Sequence, residues 1–590
     1  MKKLFLSTIL IPFLLQSSSI MSLKDVKPGM VGKGKTVFEG RKIETFDVEI
    51  VGILKNVFPN QSLIIANLKG DMAQKAGVVS GMSGSPVYIE DKLIGSISYS
   101  FPWAKDSIAG ITPIEEMIEV SKEPEIKKSF SALNIPLKKY LNFEDFKSMF
   151  NILNPEISFN YKGNVFYSLP VPLSISNASN RLMEKLNEFS SSLRFIPVNA
   201  GISANAVDFG NLSSLEEGQA IAVQIVKGDL DISAVGTVTH VDGEKVYAFG
   251  HPLFNLGGVE FPMAEGEILA VVPKLDTSFK LSTSGKTIGV FNQDRFNGVF
   301  GIIGKVPSLI PLKIELVKEN GKEKSYNFEI VNNKLLAPFF TFVTILNTVE
   351  IVSKSLGDIS YSLRGEVFLE EGKSVKIEDY FSGEGKESIE NISILPAAVL
   401  YYLMNNEFKD VKISKVNLKI GVEESIEIAK LERIWVEENE VKPNQRLKIR
   451  VFFRTWRGDI KEEEAQISIP NFEPDTPFEI IVGDAETLTQ YEIKEYRGGE
   501  MPRSLELLIR ALNNIRKNNR IYFKLRTKKH SLFFRGEEFS NVPSLINEVI
   551  SSTRLSISPV DLNFSTVREY QLPIDFVFKG FAKIPLRVKK

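Results

Sequence analysis

The chain has 590 residues, too many for one hydrophobic core, so it divides into several domains. Lys and Arg number 72 against 73 Asp and Glu, and a net charge of −1 supplies no field to draw nucleic acid or an anionic membrane. There is no cysteine and there are three histidines, His240, His251 and His530, which excludes disulfides, thiolate nucleophiles and cysteine zinc sites. No HExxH pair occurs, and nothing in the sequence calls for a metal or a cofactor.

Residues 1–22 read as a signal peptide. Lys2 and Lys3 start it, Leu4 to Leu15 is its apolar stretch, and Gln16 to Ser19 precede a cut between Ser19 and Ser22. The mature chain is expected outside the cytoplasm, periplasmic or extracellular, with no membrane span. Residues 23–120 read as short strands. Thr36 to Phe38 and Ile43 to Ile50 flank a turn at Glu39-Gly40-Arg41, Ser62 to Ala66 is a buried strand, and Leu93 to Tyr99 is another. Thr112 is the expected N-cap of a short helix with Pro113 in its first position.

Residues 121–195 read as a helical connector, from the spacing of Phe143, Phe146, Met149, Phe150 and Ile152. Strands return in 196–344 at Ala220 to Val226, Ser233 to Val241, Lys245 to Phe249 and Leu312 to Val317. Alternation such as Leu447-Lys448-Ile449-Arg450-Val451 predicts a β-sandwich module over 345–485, and 486–590 reads as an α+β module. In the latter, helices are expected over about Ser504 to Arg516 and Ser544 to Ile550. His530 is read as a loop or edge residue and His240 as a half-buried strand residue. Gly40 to Val51 echoes Gly321 to Val331, either as two unrelated hairpins or as parts of related barrels.

Two segments carry chemistry. Gly81-Met82-Ser83-Gly84-Ser85-Pro86 sets a serine between glycines on a tight bend, where the backbone can approach a substrate closely. The Gly81 and Ser83 N–H groups there can face a developing oxyanion. A strand over Lys245 to Phe249 ends at Gly250-His251-Pro252, and Pro252 restricts His251 to extended conformations. An imidazole held at a sheet rim in this way suits a general base.

The segments GMSGSPVYIEDKLIGSISY (Gly81 to Tyr99), AGITPIEEM (Ala109 to Met117), GTVTHVDGEKVYAFGHP (Gly236 to Pro252) and KTIGVFNQDRFNGVFGIIG (Lys286 to Gly304) together resemble the stage IV sporulation protein B serine peptidases. The resemblance spans roughly 26–120 and 230–335. It implies a mainly β, chymotrypsin-like double β-barrel, here circularly permuted, because the serine block precedes the histidine block. The β-sandwich and α+β modules would follow.

It also implies Ser83 as nucleophile and His251 as base. The family's aspartate, about fifteen residues before the serine, falls on Leu68. Asp71 then takes the role through a shifted loop, or Asn67 or a backbone carbonyl orients the imidazole; Asp242 and Asp276 are other acids near the histidine block. The expected function is an exported serine endopeptidase acting on a protein or peptide. The alternative is a non-catalytic peptidase-like scaffold or binding protein of the cell envelope that takes a protein or glycan partner through its C-terminal modules.

Overall fold

The computed structural model describes residues 19–58, 61–101, 104–123, 143–149, 158–161, 164–193, 195–201, 215–352, 357–496, 502, 504–529, 531–534, 537–540, 545 and 560–589. The body of the expected signal peptide, His530 and all but one residue of the helix expected over 544–550 lie outside them. At the start of the described chain, Met21 N–H donates to the Leu93 carbonyl and Leu93 N–H to that of Ser19. The fold is mainly β, 54% strand and 18% helix, so sheet edges and sheet faces make most of the tertiary contacts.

Six antiparallel strands close on themselves near the N-terminus. The circuit runs Pro86–Ile89, Val31–Val37, Ile43–Phe58, Gln61–Lys69, Ile108–Pro113, Lys92–Ser100 and back to Pro86–Ile89. Closure removes the exposed edges that a six-strand sheet would otherwise carry. Its interior is apolar: Val48, Ile50, Ile64, Ala66, Val87 and Ile97 are all buried. The expected turn at Gly40 is present, with Val37 facing Ile43 across it.

A second circuit of six antiparallel strands follows. It runs Ala220–Gly228, Ile232–Asp242, Lys245–Ala248, Gly298–Ile303, Phe279–Arg295, Gly257–Val272 and back to Ala220–Gly228. The chain therefore contains two closed barrels. Between them, strands in the expected helical connector join each barrel's sheet. Asn164–Ser168 pairs with Lys92–Ser100, and Val171–Ile175 pairs with Ile232–Asp242. Helices do occur there, at Phe143–Ser148 and Asn180–Leu193.

Two apolar patches join the barrels. Tyr88, Leu93, Ile114 and Met117 meet Tyr247 and Phe300 on one side. Val37 meets Ala220, Ala222, Val235, Ala264 and Ile268 on the other. Each large aliphatic side chain buried in this way contributes about 1.5–3 kcal/mol relative to exposure.

The second barrel's sheet continues outward through Glu323–Val331, Leu309–Lys318, Ile413–Glu423, Asp358–Leu369 and Ser374–Glu384. Helices Leu336–Val352 and Gly385–Met404 pack on this extension, and the first is buried along residues 336–349. The sheet thus runs past position 345, where a new module was expected. The sandwich itself pairs a four-stranded sheet containing Arg446–Thr455 with a five-stranded sheet drawn mostly from beyond residue 485. Leu447, Ile449 and Val451 of the first sheet share one core with Ile480, Ile521 and Phe523 of the second. The reason is physical: one alternating sheet has an apolar face that only another sheet or a helix can cover. The echo of Gly40 to Val51 in Gly321 to Val331 marks two real hairpins, but the later one lies outside the second barrel's circuit.

Candidate active site

Ser83 sits in the loop between a short helix, Asp71–Ala76, and the strand Pro86–Ile89. Gly81 and Gly84 on either side have φ of 97° and 93°, values that favour glycine. The second barrel grips this loop. Thr237 N–H donates to the Ser83 carbonyl (2.8 Å), Thr237 Oγ1 to the Gly81 carbonyl (3.1 Å) and Thr239 Oγ1 to the Gly84 carbonyl (2.7 Å). Both threonines come from the stretch read only as a strand, Gly236-Thr237-Val238-Thr239. The signal was their alternation, which sends both hydroxyls to one face.

His251 arrives from the other side of the seam. Phe249 and Gly250 turn the chain with φ of 66° and 68°, and the Phe249 ring lies fully buried against Gly236. A positive φ at a bulky residue is strained, and here the strain aims the next side chain. Thr112 does not cap a helix. It lies within the strand Ile108–Pro113, with Pro113 at the N-cap, and its hydroxyl donates to the Gly250 carbonyl at 2.7 Å, tying the histidine corner to the first barrel.

His251 Nε2 lies 2.8 Å from Ser83 Oγ, and His251 Nδ1 lies 2.8 Å from the Pro252 carbonyl oxygen. A carbonyl only accepts, so Nδ1 carries the proton. In the neutral ring Nε2 is then the acceptor for the serine O–H. This is the tautomer that a general base requires.

The loop also holds two amides ready. Met82, Gly84 and Ser85 N–H groups donate to the carbonyls of Val79, Ile97 and Met82. Gly81 and Ser83 N–H groups have no acceptor among the described residues. A substrate oxyanion between them would supply one. The pair is closed to solvent: Ser83 is 0% exposed and His251 1%. In this conformation Ser83 Oγ is closed to an incoming carbonyl.

Asp71 stands apart. It is exposed in the first turn of its helix, and no hydrogen bond among the described residues joins it, Asn67, Asp242 or Asp276 to His251. Of the alternatives for orienting the ring, the backbone carbonyl is the one in contact. Asp71→Asn is therefore expected to leave kcat/KM for a cleaved peptide within about twofold of wild type, measured with the same substrate for both; a triad role would cost about 10⁴-fold.

Two charged residues near the site escaped the sequence reading. Asp294, on the strand Phe279–Arg295, is fully buried. It accepts N–H bonds from Leu253 (2.8 Å), Phe254 (2.9 Å) and Leu256 (3.3 Å), the loop that follows His251. Burial pushes its carboxyl up to about 6 while the amides pull it down. Its segment was visible as Asn292-Gln293-Asp294-Arg295, but no spacing rule linked it to His251.

Lys280 is 1% exposed. Its stem packs over Gly81, where an added Cβ would meet Lys280 carbons at 3.1–3.2 Å, and its amine donates to Thr36 Oγ1 at 2.7 Å. Its strand docks beside the nucleophile loop, with Ser80 N–H donating to the Ser278 carbonyl and Lys280 N–H to that of Ser80. Burial lowers the Lys280 pKa to about 7 from 10.5. Above 10.5 neither state carries the charge, whereas below 7 the folded state must bury an ammonium. Stability from this group therefore rises with pH between about 7 and 10.5. Lys280→Met should raise the urea midpoint at pH 7 and remove that slope. An unchanged difference between midpoints at pH 7 and pH 9 would contradict it.

Residues 11–118 match the family described as SpoIVB peptidase S55. The match holds Ser83 and all six strands of the first barrel, so this part of the chain is similar to a peptidase family. His251 and the second barrel lie beyond it. No curated protein and no solved structure matches the chain. Among the described residues, no helix is long and apolar enough to cross a membrane.

Proposed function

We propose that the protein is an exported serine endopeptidase. Ser83 Oγ attacks a peptide carbonyl, His251 Nε2 takes its proton and returns it to the leaving amine, and the Gly81 and Ser83 amides hold the oxyanion. The observation that carries this reading is the 2.8 Å contact between Ser83 Oγ and His251 Nε2, made by residues 168 positions apart. The similarity of residues 11–118 to a peptidase family supports it independently.

In this reading the substrate is a protein or peptide, the signal at 1–22 directs export, and the serine-first order is a circular permutation of the family's arrangement. A triad is defined by geometry, so the order of its parts along the chain does not bear on the chemistry. The test is incubation of the mature chain with a serine-directed phosphonate. Label is expected on Ser83, and label that persists in Ser83→Ala sinks the assignment.

A second reading is favoured by the complete burial of Ser83 and His251. A seam that never opens would make the double barrel a scaffold of the cell envelope, with the C-terminal sheets free to bind a protein partner. No cleavage across a peptide library, with equal partner binding by wild type, Ser83→Ala and His251→Ala, is what this second reading requires.

A further inference from the structure

We propose that Asp294 is the positioning residue of His251 and acts on it through the Pro252–Leu253 peptide group. The proposal rests on the peptidase reading above.

One peptide unit carries the argument. Its oxygen, on Pro252, accepts from His251 Nδ1 at 2.8 Å. Its N–H, on Leu253, donates to Asp294 Oδ1 at 2.8 Å. The unit is planar and trans, so its N–H and C=O point in opposite directions. Holding the N–H therefore aims the C=O. The carboxylate sits on one side, the imidazole on the other, and Ser83 beyond the imidazole.

Asp294 Oδ2 adds the amides of Phe254 and Leu256, so one carboxylate gathers the turn between His251 and the strand that starts at Gly257. Asp294 itself cannot drift, because its own backbone is paired on both sides, with Gly257 and with Val299. A carboxylate on the N–H side also polarises the peptide and makes its oxygen a better acceptor, since linked hydrogen bonds reinforce one another. The same device fixes the ring's tautomer, with the proton on Nδ1 and the free electron pair of Nε2 facing the serine. Asp294 never meets the substrate. Its role is to hold the base in direction and in protonation pattern.

The experiment uses the full mature chain. Asp294→Asn keeps the shape but turns one acceptor into an NH₂ group facing amide donors. Phosphonate labelling of Ser83 is expected to slow about 10- to 100-fold, with KM for a cleaved peptide within twofold of wild type. In ¹⁵N-histidine spectra, the His251 signal should pass from the single Nδ1–H form to a mixture of tautomers. His240, held by Glu217 Oε1 at 2.6 Å, should be unchanged and serves as the internal control.

Asp294→Glu, which keeps the carboxylate, should recover part of the rate and of the single-tautomer signal, and it is the variant to read if Asp294→Asn does not fold. Unchanged rate and unchanged His251 signal in the folded variant overturn the proposal. So does a wild-type spectrum in which Nδ1 carries no proton, whatever the variants do. If wild type takes no label while the His251 tautomer still depends on Asp294, the positioning role holds and the peptidase reading falls.

Discussion

Ser83→Ala and His251→Ala are each expected to lower peptide cleavage by about 10⁴- to 10⁶-fold and to end phosphonate labelling. The fold should survive both changes. Ser83 is held by its backbone, whose carbonyl accepts from Thr237, and alanine keeps that bond. The side chain contributes one hydrogen bond, worth about 1 kcal/mol net. Loss of His251 leaves the Thr112 bond to Gly250 and the Asp294 cage in place. Circular dichroism and urea midpoints near the wild-type values, beside lost cleavage, would separate chemistry from folding. Cleavage that survives either substitution would place the reaction elsewhere.

Gly84→Ala should be the most damaging single methyl group near the site. Its Cβ would lie 2.1 Å from the Thr237 carbonyl oxygen and 2.5 Å from the Phe249 nitrogen, both backbone atoms of the facing barrel, and φ is 93°. Backbone cannot move aside as a flexible side chain can. The expected cost is more than about 3 kcal/mol, combining a left-handed conformation with the clash. The clash is expected to push the nucleophile loop off Thr237 and Thr239 and break the Ser83–His251 contact, so labelling is lost although both residues remain. Gly243→Ala is the control. Its φ is 60°, but nothing lies within 4 Å of the added carbon. It should cost about 1–2 kcal/mol and leave labelling intact. Equal loss in both variants, read from urea unfolding, would mean that φ alone matters and that the seam does not.

These predictions share one cause. The described contacts hold the Ser83 loop from the opposite barrel and the His251 ring through a backbone carbonyl. The nucleophile loop belongs to the first barrel and is fastened by threonines of the second. The histidine corner belongs to the second barrel and is fastened by Thr112 of the first. Separating the barrels would therefore disturb both halves at once.

Local pattern was enough for many strands, though not for Asn164–Ser168 and Val171–Ile175 in the stretch read as a helical connector. Alternation at Leu447, Ile449 and Val451 and the turn at Gly40 are short-range effects that neighbouring residues decide. The glycine-flanked serine and the Gly-His-Pro corner were legible for the same reason, because each is a bend with its own chemistry. Distance along the chain hid the rest. Which sheet covers the apolar face of Arg446–Thr455, what Thr112 binds, and which group steadies His251 depend on contacts between residues far apart in the chain, and periodicity carries no information about those. Asp294 shows the limit most plainly. Its partners are backbone amides, which every residue has, so no residue type at any spacing could have announced them before the barrels closed.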